Sequence, residues 1–293
     1  MTSDLQAFIS TIAVHAPPAP TPAPAPAPAP IDPQLLMLAY RSGIFPMADT
    51  RDDPEVFWVE PRRRAVLPLG GFHCSRSLAK VLRRGTFAVT CNKAFAAVIE
   101  ACAAPRRDTA ETWISTRIAR SYLALHAAGE AHSIECWQDG ALVGGLYGVG
   151  FDRVFCGESM FSRTSDASKV ALAWLVAALQ RGGCVLLDCQ FITAHLASLG
   201  AAEITQAKYL KLLRAAQAPV LGETSGLGEA PGLGEAPVLG EASGLGLGLG
   251  DGLAAGLASG LPAGFAALLA EAAGAGLSSS PGNFIAQSLT HTS

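Results

Sequence analysis

Apolar side chains recur at two different periods along the middle of the chain. A helical period predicts helices over 33–42, 75–84, 92–103, 115–126, 165–181, 193–199 and 206–215. Short alternating or continuous apolar runs predict strands over 86–91, 132–137, 142–147, 153–156, 185–188 and 202–205. Because helices precede and follow a mostly antiparallel set of strands, the pattern predicts an α+β fold.

The two ends of the chain lack this patterning. Residues 16–30 are nearly pure alanine and proline, which is typical of an extended polyproline spacer. From residue 217 onward the chain is rich in glycine and leucine, which predicts a largely disordered tail with room for a short helix over 265–273. The prediction is therefore a disordered lead (1–31), a small N-terminal α/β domain (32–91), a larger domain (92–216) and the tail (217–293).

Charge is concentrated in the middle of the chain. All 21 basic residues but only 17 of the 24 acidic ones lie in 32–216, so this part has a net charge of +4 against −3 for the whole chain. Eight bases and no acid lie between Glu60 and Glu100. Four of them fall along one side of the helix predicted for 75–84: Arg76, Lys80, Arg83 and Arg84. Such a face is typical of contact with nucleic-acid phosphates, and a solvated helix face is the alternative.

Composition excludes several classes of protein. The 7 cysteines are odd in number and form no C-x-x-C pair, so a disulfide framework or a zinc site is not indicated. Thiols of this kind are expected in a reducing cytoplasm. No secretory signal is predicted, because the N-terminus has no basic region followed by an apolar run. No membrane span is predicted either, because the apolar run 170–179 is too short and the longer uncharged stretch 252–270 contains several glycines and a proline. No glycine pattern matches a nucleotide-binding loop, and we expect neither a cofactor nor a metal ion.

Three side chains are candidates for chemistry on their positions alone. Trp113 opens a predicted helix beside two arginines and is placed either to stack on a base or to join the core. Glu158 and Asp188 follow predicted strands, where a carboxylate needs a partner or a ligand. The structural alternative is an ion pair between Glu158 and Arg163 and a helix cap from Asp188. The residues alone leave both interpretations open.

A set of ordered motifs resembles the bacterial leucyl/phenylalanyl-tRNA–protein transferases. The motifs follow the family's order between residues 34 and 214: YRSGIFP (40–46), RAVL (64–67), SRSL (75–78), TWI (112–114), HSIE (132–135), GG (144–145), GESMFSR (157–163), ASK (167–169), DCQ (188–190) and SLGA (198–201). GESMFSR followed by DCQ is highly specific in combination.

The resemblance implies an aminoacyltransferase. Members of the family move Leu or Phe, and Met less readily, from aminoacyl-tRNA to the free α-amino group of proteins that begin with Arg or Lys, and the products enter N-degron proteolysis. The family fold implies a larger C-terminal domain that is GNAT-like, preceded by a smaller one. We expect a cytoplasmic monomer without membrane association.

The family's site residues carry over to matching positions of this chain. Asp188 and Gln190 would assist peptide-bond formation, and Glu158 would recognise the basic N-terminal residue. Trp113 would contact the aminoacyl-adenosine end, and the basic helix over 75–84 would bind the tRNA acceptor arm. The other substrate-binding positions are Met47, Leu146, Ser162 and Leu175. Three of them depart from the expected Trp, Met and Phe: Met47, Leu146 and Leu175. The pocket should stay apolar with an altered shape.

Two other functions remain open on the same fold. An acyl-CoA-dependent N-acetyltransferase is the first, but this chain has no pyrophosphate-binding loop and the basic helix would be unexplained. A non-catalytic tRNA-binding module is the second, in which Glu158 and Asp188 would be structural.

Overall fold

The computed structural model describes residues 28–105, 111–219, 260–277 and 281–290. The two arginines that precede Trp113, residues 106 and 107, and most of the Ala-Pro lead and glycine-rich tail lie outside these ranges. Among the described residues, no helix is long and apolar enough to cross a membrane.

The described part of the chain alternates between helices and strands. Its helices are α1 (Pro33–Arg41), α2 (Arg76–Arg84), α3 (Phe95–Ala103), α4 (Thr116–Ala127), α5 (Ala167–Arg181), α6 (Ala194–Ser198), α7 (Gln206–Gln217), α8 (Gly260–Gly274) and α9 (Pro281–Thr290). Its strands are β1 (Phe45–Met47), β2 (Phe57–Val59), β3 (Arg63–Leu67), β4 (Ala88–Cys91), β5 (Ala131–Gln138), β6 (Ala141–Phe151), β7 (Val154–Ser162), β8 (Leu186–Gln190) and β9 (Ala202–Thr205).

Seven strands form one sheet in the order β4-β5-β6-β7-β8-β3-β9. Its neighbouring strands run antiparallel except β7 and β8, which are parallel. A separate antiparallel ribbon is formed by β1 and β2. The predicted α+β fold with a mostly antiparallel sheet is therefore confirmed, and the GNAT-like assignment stays a prediction.

Several strands differ from the sequence prediction. The three strands before residue 68 were not predicted, because β1 and β2 span only three residues each and β3 begins with two arginines. The prediction that Glu158 follows a strand is wrong, since β7 continues to Ser162. Gly157 and Ser159 interrupt the apolar pattern there, but pairing with β6 persists as far as Gly144 opposite Ser162.

Helix α5 packs across one face of the sheet. Every residue from Val170 to Leu179 is buried. The helix comes close to β6 because Gly144 has no side chain: a Cβ at this position would lie 2.5 Å from the Cβ of Ala167. Gly144 of β6 thus lets α5 lie directly on the strand. Helices α3, α4 and α7 pack on other parts of the sheet.

Two helices, α8 and α9, lie in the region for which the sequence predicts a largely disordered tail. They pack against α5 and α2 with buried side chains such as Leu261, Phe265 and Leu289. The short helix predicted over 265–273 falls within α8. The predicted domain boundary between residues 91 and 92 follows β4, which pairs with β5 in the same sheet. The division into domains stays a prediction.

Candidate active site

A cavity of about 420 Å³ lies where β7 and β8 separate. The two strands pair only from Val154 to Cys156, opposite Leu186 to Asp188, and both continue beyond this pairing. Six of the predicted site residues line the cavity: Met47, Trp113, Leu146, Glu158, Leu175 and Gln190. Residues that are distant in sequence therefore meet at one gap in the sheet.

Glu158 is the carboxylate that faces this cavity. It is half-buried, and its Oε2 accepts a hydrogen bond of 2.9 Å from the hydroxyl of Tyr122. Its Oε1 accepts a bond of 3.1 Å from Nε2 of Gln190. The Tyr122 hydroxyl is also hydrogen-bonded to that of Tyr40. The side chains that donate these hydrogen bonds to Glu158 are neutral, which leaves its negative charge available to a cation.

The environment of Glu158 favours the protonated acid. Burial raises the pKa of Glu158 to about 7, while hydrogen bonds from Tyr40 and Tyr122 act in the opposite direction. A carboxyl group with a pKa near neutrality is about half ionised at pH 7. A cationic ligand beside it would favour the ionised form and so bind more tightly as pH rises.

Asp188 lies on the neighbouring strand in a closed environment. Its side chain has 0% exposure and the facing Arg64 has 2%. Nε of Arg64 lies 2.9 Å from Oδ1 of Asp188, and the hydroxyl of Tyr209 donates to Oδ2 at 3.0 Å. Burial disfavours the charge on Arg64, but the hydrogen bonds to Asp188 outweigh this and raise the pKa of Arg64. Both charges are therefore retained in the interior, where each needs the other.

The guanidinium of Arg64 connects this ion pair to the cavity wall. Its Cζ lies 4.8 Å from the ring centroid of Phe45, which lines the cavity, and 4.4 Å from that of Tyr209. Its Nη1 donates to the carbonyl oxygen of Gly43 at 2.9 Å. Arg64 thus ties together β3, α7 and the segment that leads into β1.

Gln190 joins the two carboxylates. Its backbone N–H donates to Oδ1 of Asp188 at 2.9 Å, while its side-chain amide donates to Glu158. Its φ of +53° is left-handed, a conformation that a non-glycine residue holds only when its surroundings impose it. The carboxylate of Asp188 therefore holds the backbone of Gln190, while the side-chain amide of Gln190 is held by Glu158.

The remaining cavity wall is mainly apolar. Leu146 and Leu175, at 2% and 1% exposure, come from β6 and α5. Met47 and Trp113 also line the cavity and are half-buried, and the N–H of Ala48 donates to the carbonyl oxygen of Trp113 at 3.2 Å. An apolar space beside a single ionisable carboxylate suits a ligand with an apolar side chain and a cationic group nearby.

Ser162 lies outside the cavity. Its hydroxyl donates to the carbonyl oxygen of Thr164 at 2.8 Å and accepts from the N–H of Ser168 at 3.2 Å, so it fixes the start of α5. The structural alternatives for the carboxylates are also not what the structure shows. Arg163 donates to the carbonyl oxygen of Leu142, and α6 is capped by Thr193.

The four basic residues of α2 are exposed, while Leu78, Ala79 and Leu82 of the same helix are buried. These four are Arg76, Lys80, Arg83 and Arg84. The eight bases between Glu60 and Glu100 do not all lack an acidic partner, because two of them pair with acids from elsewhere in the chain. Arg64 is buried against Asp188, and Nε of Arg63 lies 2.7 Å from Oε2 of Glu203. The phosphate-binding candidate narrows to the outer face of α2.

Sequence reasoning missed several residues of the site. Tyr122 donates to Glu158 and is itself hydrogen-bonded to Tyr40, and Arg64 pairs with Asp188. Tyr40 and Arg64 belong to the motifs YRSGIFP and RAVL, but the sequence assigned neither of them a function. The Tyr147 hydroxyl and Nε2 of His195 are buried at the cavity wall without a hydrogen-bond partner in the described structure. Within the same residues, no group of three or more His, Cys, Asp or Glu side chains could hold a metal ion.

Comparison of the sequence with known proteins assigns this chain to a family. Residues 66–214 match the sequence model described as leucyl/phenylalanyl-tRNA protein transferase, and residues 29–62 match the model of its N-terminal domain. A leucyl/phenylalanyl-tRNA–protein transferase of Novosphingobium aromaticivorans is 66% identical over 265 residues, which cover 90% of this chain and 97% of the relative.

Two further relatives carry the same name. The protein of Zymomonas mobilis is 59% identical over 186 residues, covering 64% of this chain and 69% of its own. That of Rhizorhabdus wittichii is 57% identical over 192 residues, covering 66% and 77%. The chain belongs to the leucyl/phenylalanyl-tRNA–protein transferase family.

Proposed function

We propose that this protein transfers a leucyl or phenylalanyl group, and a methionyl group less well, from aminoacyl-tRNA to the free α-amino group of proteins that begin with Arg or Lys. Such a modification marks the acceptor for N-degron proteolysis. The observation that carries the proposal is that one cavity is lined both by the apolar side chains of Leu146 and Leu175 and by the carboxylate of Glu158. The family name points to aminoacyl-tRNA and protein as the two substrates.

The apolar side chains and the carboxylate that line the cavity suit the two substrates. The apolar part would hold the leucyl or phenylalanyl side chain, with Trp113 and Met47 toward the adenosine. Glu158 would hold the cationic N-terminal residue of the acceptor, since its hydrogen-bond donors Tyr122 and Gln190 are neutral. The two reacting groups would then meet in one enclosed space, which converts a bimolecular step into one that is effectively unimolecular.

The reaction needs little chemical assistance. The α-amine nitrogen attacks the carbonyl carbon of the aminoacyl ester, so a C–N bond forms and the bond to the ribose oxygen breaks. The amine loses one proton, and the released ribose hydroxyl gains one. An α-amine with a pKa of about 7.7–8.0 is neutral to roughly a tenth at pH 7, so a strong base is not obligatory.

The polar residues then have different tasks. Gln190 would touch the reacting groups through its side-chain amide, which is the catalytic role proposed for it. Asp188 is completely buried and would act through the backbone of Gln190, which it holds in the left-handed conformation. We therefore treat Asp188 as a positioning residue, consistent with its ion pair to Arg64.

The exposed face of α2 would bind the tRNA acceptor arm through phosphate contacts. Each lysine or arginine that neutralises a phosphate releases counterions, so affinity falls as salt rises. Lys80→Ala should weaken aminoacyl-tRNA binding for all charged tRNAs alike and reduce the slope of log affinity against log salt by about one. Binding that does not depend on salt would contradict the assignment to α2.

The direct test uses radiolabelled leucyl-tRNA with two peptides, one beginning with Arg and one beginning with acetyl-Arg. We expect label on the free Arg terminus alone, and transfer slower by about a hundredfold or more after Glu158→Gln at the same enzyme concentration. The matched control is Glu203→Gln, whose carboxylate pairs with Arg63 at the surface. Binding of tRNA without any transfer would indicate a non-catalytic module. In a parallel assay with radiolabelled acetyl-CoA, transfer of the acetyl group to the peptide would indicate an acetyltransferase. The cytoplasmic location and the monomeric state remain part of the proposal.

A further inference from the structure

Helix α5 lies between the cavity and the pair of C-terminal helices, α8 and α9. One side of α5 lines the cavity through Leu172 and Leu175. Another side of the same helix packs against α8, where the rings of Trp174 and Phe265 have centroids 5.4 Å apart. The helix pair lies beyond residue 214, at which the match to the family's sequence model ends. A segment outside the family model thus contacts a helix that forms the cavity wall.

The contact between α5 and α8 is made backbone to backbone. A Cβ on Gly264 would lie 2.1 Å from the carbonyl oxygen of Ala178, and a Cβ on Gly182 the same distance from that of Gly260. No larger residue fits such an approach unless the helices separate. Interiors this close are not compressible, so the position of α8 limits how far α5 can move away from the sheet.

Helix α9 holds the pair in place from the other end. A Cβ on Gly282 would lie 2.2 Å from the carbonyl oxygen of Leu82 in α2. Arg181 at the end of α5 contacts both helices of the pair: its Nη2 lies 3.2 Å from Glu271 of α8 and 3.1 Å from the hydroxyl of Ser288 in α9. The pair therefore contacts α5 along two turns and is anchored on a second helix.

We propose that the C-terminal helix pair is a specificity-determining element, which acts through α5 to set the depth of the apolar part of the cavity. Leu172 and Leu175 stand on the wall that α5 contributes, so a shift of α5 changes the space for the transferred side chain. The inference rests on the proposed function, because the side chain concerned is the leucyl or phenylalanyl group. Displacing α8 should enlarge this space and favour the larger phenylalanyl group.

The experiment measures the ratio of phenylalanyl to leucyl transfer when both charged tRNAs compete for one peptide beginning with Arg. The fraction of folded enzyme cancels from such a ratio, so a loss of stability alone does not move it. Gly264→Val should push α8 toward solvent and raise the ratio about fivefold to tenfold, since small changes of pocket volume have effects of this size. Gly274→Val is the matched control, because nothing lies within 4 Å of the Cβ position on Gly274 in the same helix.

A second pair of variants keeps the test decisive if Gly264→Val does not fold. Phe265→Ala removes the ring that packs on Trp174 and should raise the ratio in the same direction by about threefold. Its control is Leu269→Ala, which truncates a side chain of α8 with 41% exposure and should leave the ratio unchanged.

The outcomes separate the two proposals. If the unmodified protein transfers neither group, the proposed function fails. If it transfers both, but the two core variants keep its ratio while melting at lower temperature, the helix pair only stabilises the fold and the inference is overturned. An altered ratio in the control variants would also overturn it, because the Cβ position of Gly274 has no atom within 4 Å and the side chain of Leu269 is exposed.

Discussion

Glu158 and Asp188 belong to neighbouring parallel strands, and yet their surroundings are opposite. Asp188 is sealed from solvent and bound to the guanidinium of Arg64, whereas Glu158 faces the cavity and accepts hydrogen bonds from a phenol and an amide. The strand register explains the difference. Cys156 of β7 pairs with Asp188 of β8, and Glu158 lies two residues farther on, where the strands have separated. One carboxylate therefore fixes the backbone, and the other is left for a ligand.

The largest expected effect comes from removing Arg64, the cation that pairs with the buried carboxylate of Asp188. Arg64→Ala leaves the carboxylate of Asp188 buried without its cation, and we expect the free energy of unfolding to fall by about 3–5 kcal/mol. Urea unfolding would measure it. The neighbouring Arg63→Ala is the matched control, since its pair with Glu203 is exposed and should contribute about 0.2–1 kcal/mol. Equal losses in the two variants would contradict the distinction between sealed and exposed pairs.

Substitution of Glu158, the carboxylate that faces the cavity, should lower activity rather than stability. Glu158→Gln removes the negative charge while it keeps the shape of the side chain, so kcat/KM for a peptide beginning with Arg should fall about a hundredfold or more. The free energy of unfolding should not fall at pH 8, because the hydrogen-bond donors to Glu158, Tyr122 and Gln190, are neutral. If this variant were instead destabilised as strongly as Arg64→Ala, the two carboxylates would not differ as argued.

The contrast between the two carboxylates was only partly readable from the sequence. The motifs GESMFSR and DCQ identified Glu158 and Gln190, which do share one cavity. Arg64 was grouped with a basic surface, since its partner Asp188 lies 124 positions away along the chain. Pairing over such a distance depends on the order of strands in the sheet, in which β3 lies beside β8, and local patterns do not contain that order.

The C-terminal helices show a different reason for an incomplete prediction: only the part of α8 over 265–273 was predicted, and α9 was not. Their glycine content was interpreted as the mark of a disordered tail, because glycine loses much conformational entropy on folding. In α8 and α9, however, Gly264 and Gly282 allow close contact with the carbonyl groups of α5 and α2. A glycine that permits close helix packing cannot be told from a flexible glycine until its neighbour is known. The α+β class, by contrast, follows from local periodicity and was predicted correctly.

A smaller effect should appear in the dependence of stability on pH. Glu158 has a pKa of about 7 in the folded protein, above its value of about 4.3 in the unfolded chain. The folded state therefore binds the extra proton, and the contribution to stability is complete below pH 4 and lost as pH rises through 7. Relative to Glu158→Gln, the unmodified protein should lose on the order of 2 kcal/mol between pH 5 and pH 8. Urea unfolding of both proteins across this range is the measurement, and parallel curves would contradict the assigned pKa.

The smallest effect is expected from removing one of two tyrosine hydroxyls: that of Tyr209, which contacts the buried Asp188, or that of Tyr147, which lies at the cavity wall with Glu158. Tyr209 donates to the sealed carboxylate of Asp188 at 3.0 Å, so Tyr209→Phe should cost about 1–3 kcal/mol of unfolding free energy. The hydroxyl of Tyr147 is buried at the cavity wall, and no partner for it lies within the described residues. Tyr147→Phe removes an unsatisfied polar group, so stability should stay within about 1 kcal/mol of the unmodified protein or rise.

The pair of substitutions also tests whether the cavity is a binding site. If a substrate supplies the partner of the Tyr147 hydroxyl, Tyr147→Phe should raise KM for that substrate while leaving the melting temperature unchanged. Tyr209→Phe should lower the melting temperature with less effect on KM, because its hydroxyl lies behind the wall with Arg64 and Asp188. A Tyr147→Phe protein that is less stable, with unchanged KM, would show that its hydroxyl has a partner within the protein. Tyr147 would then belong to the buried structural part of the site, with Asp188, and not to the part that binds substrate, with Glu158.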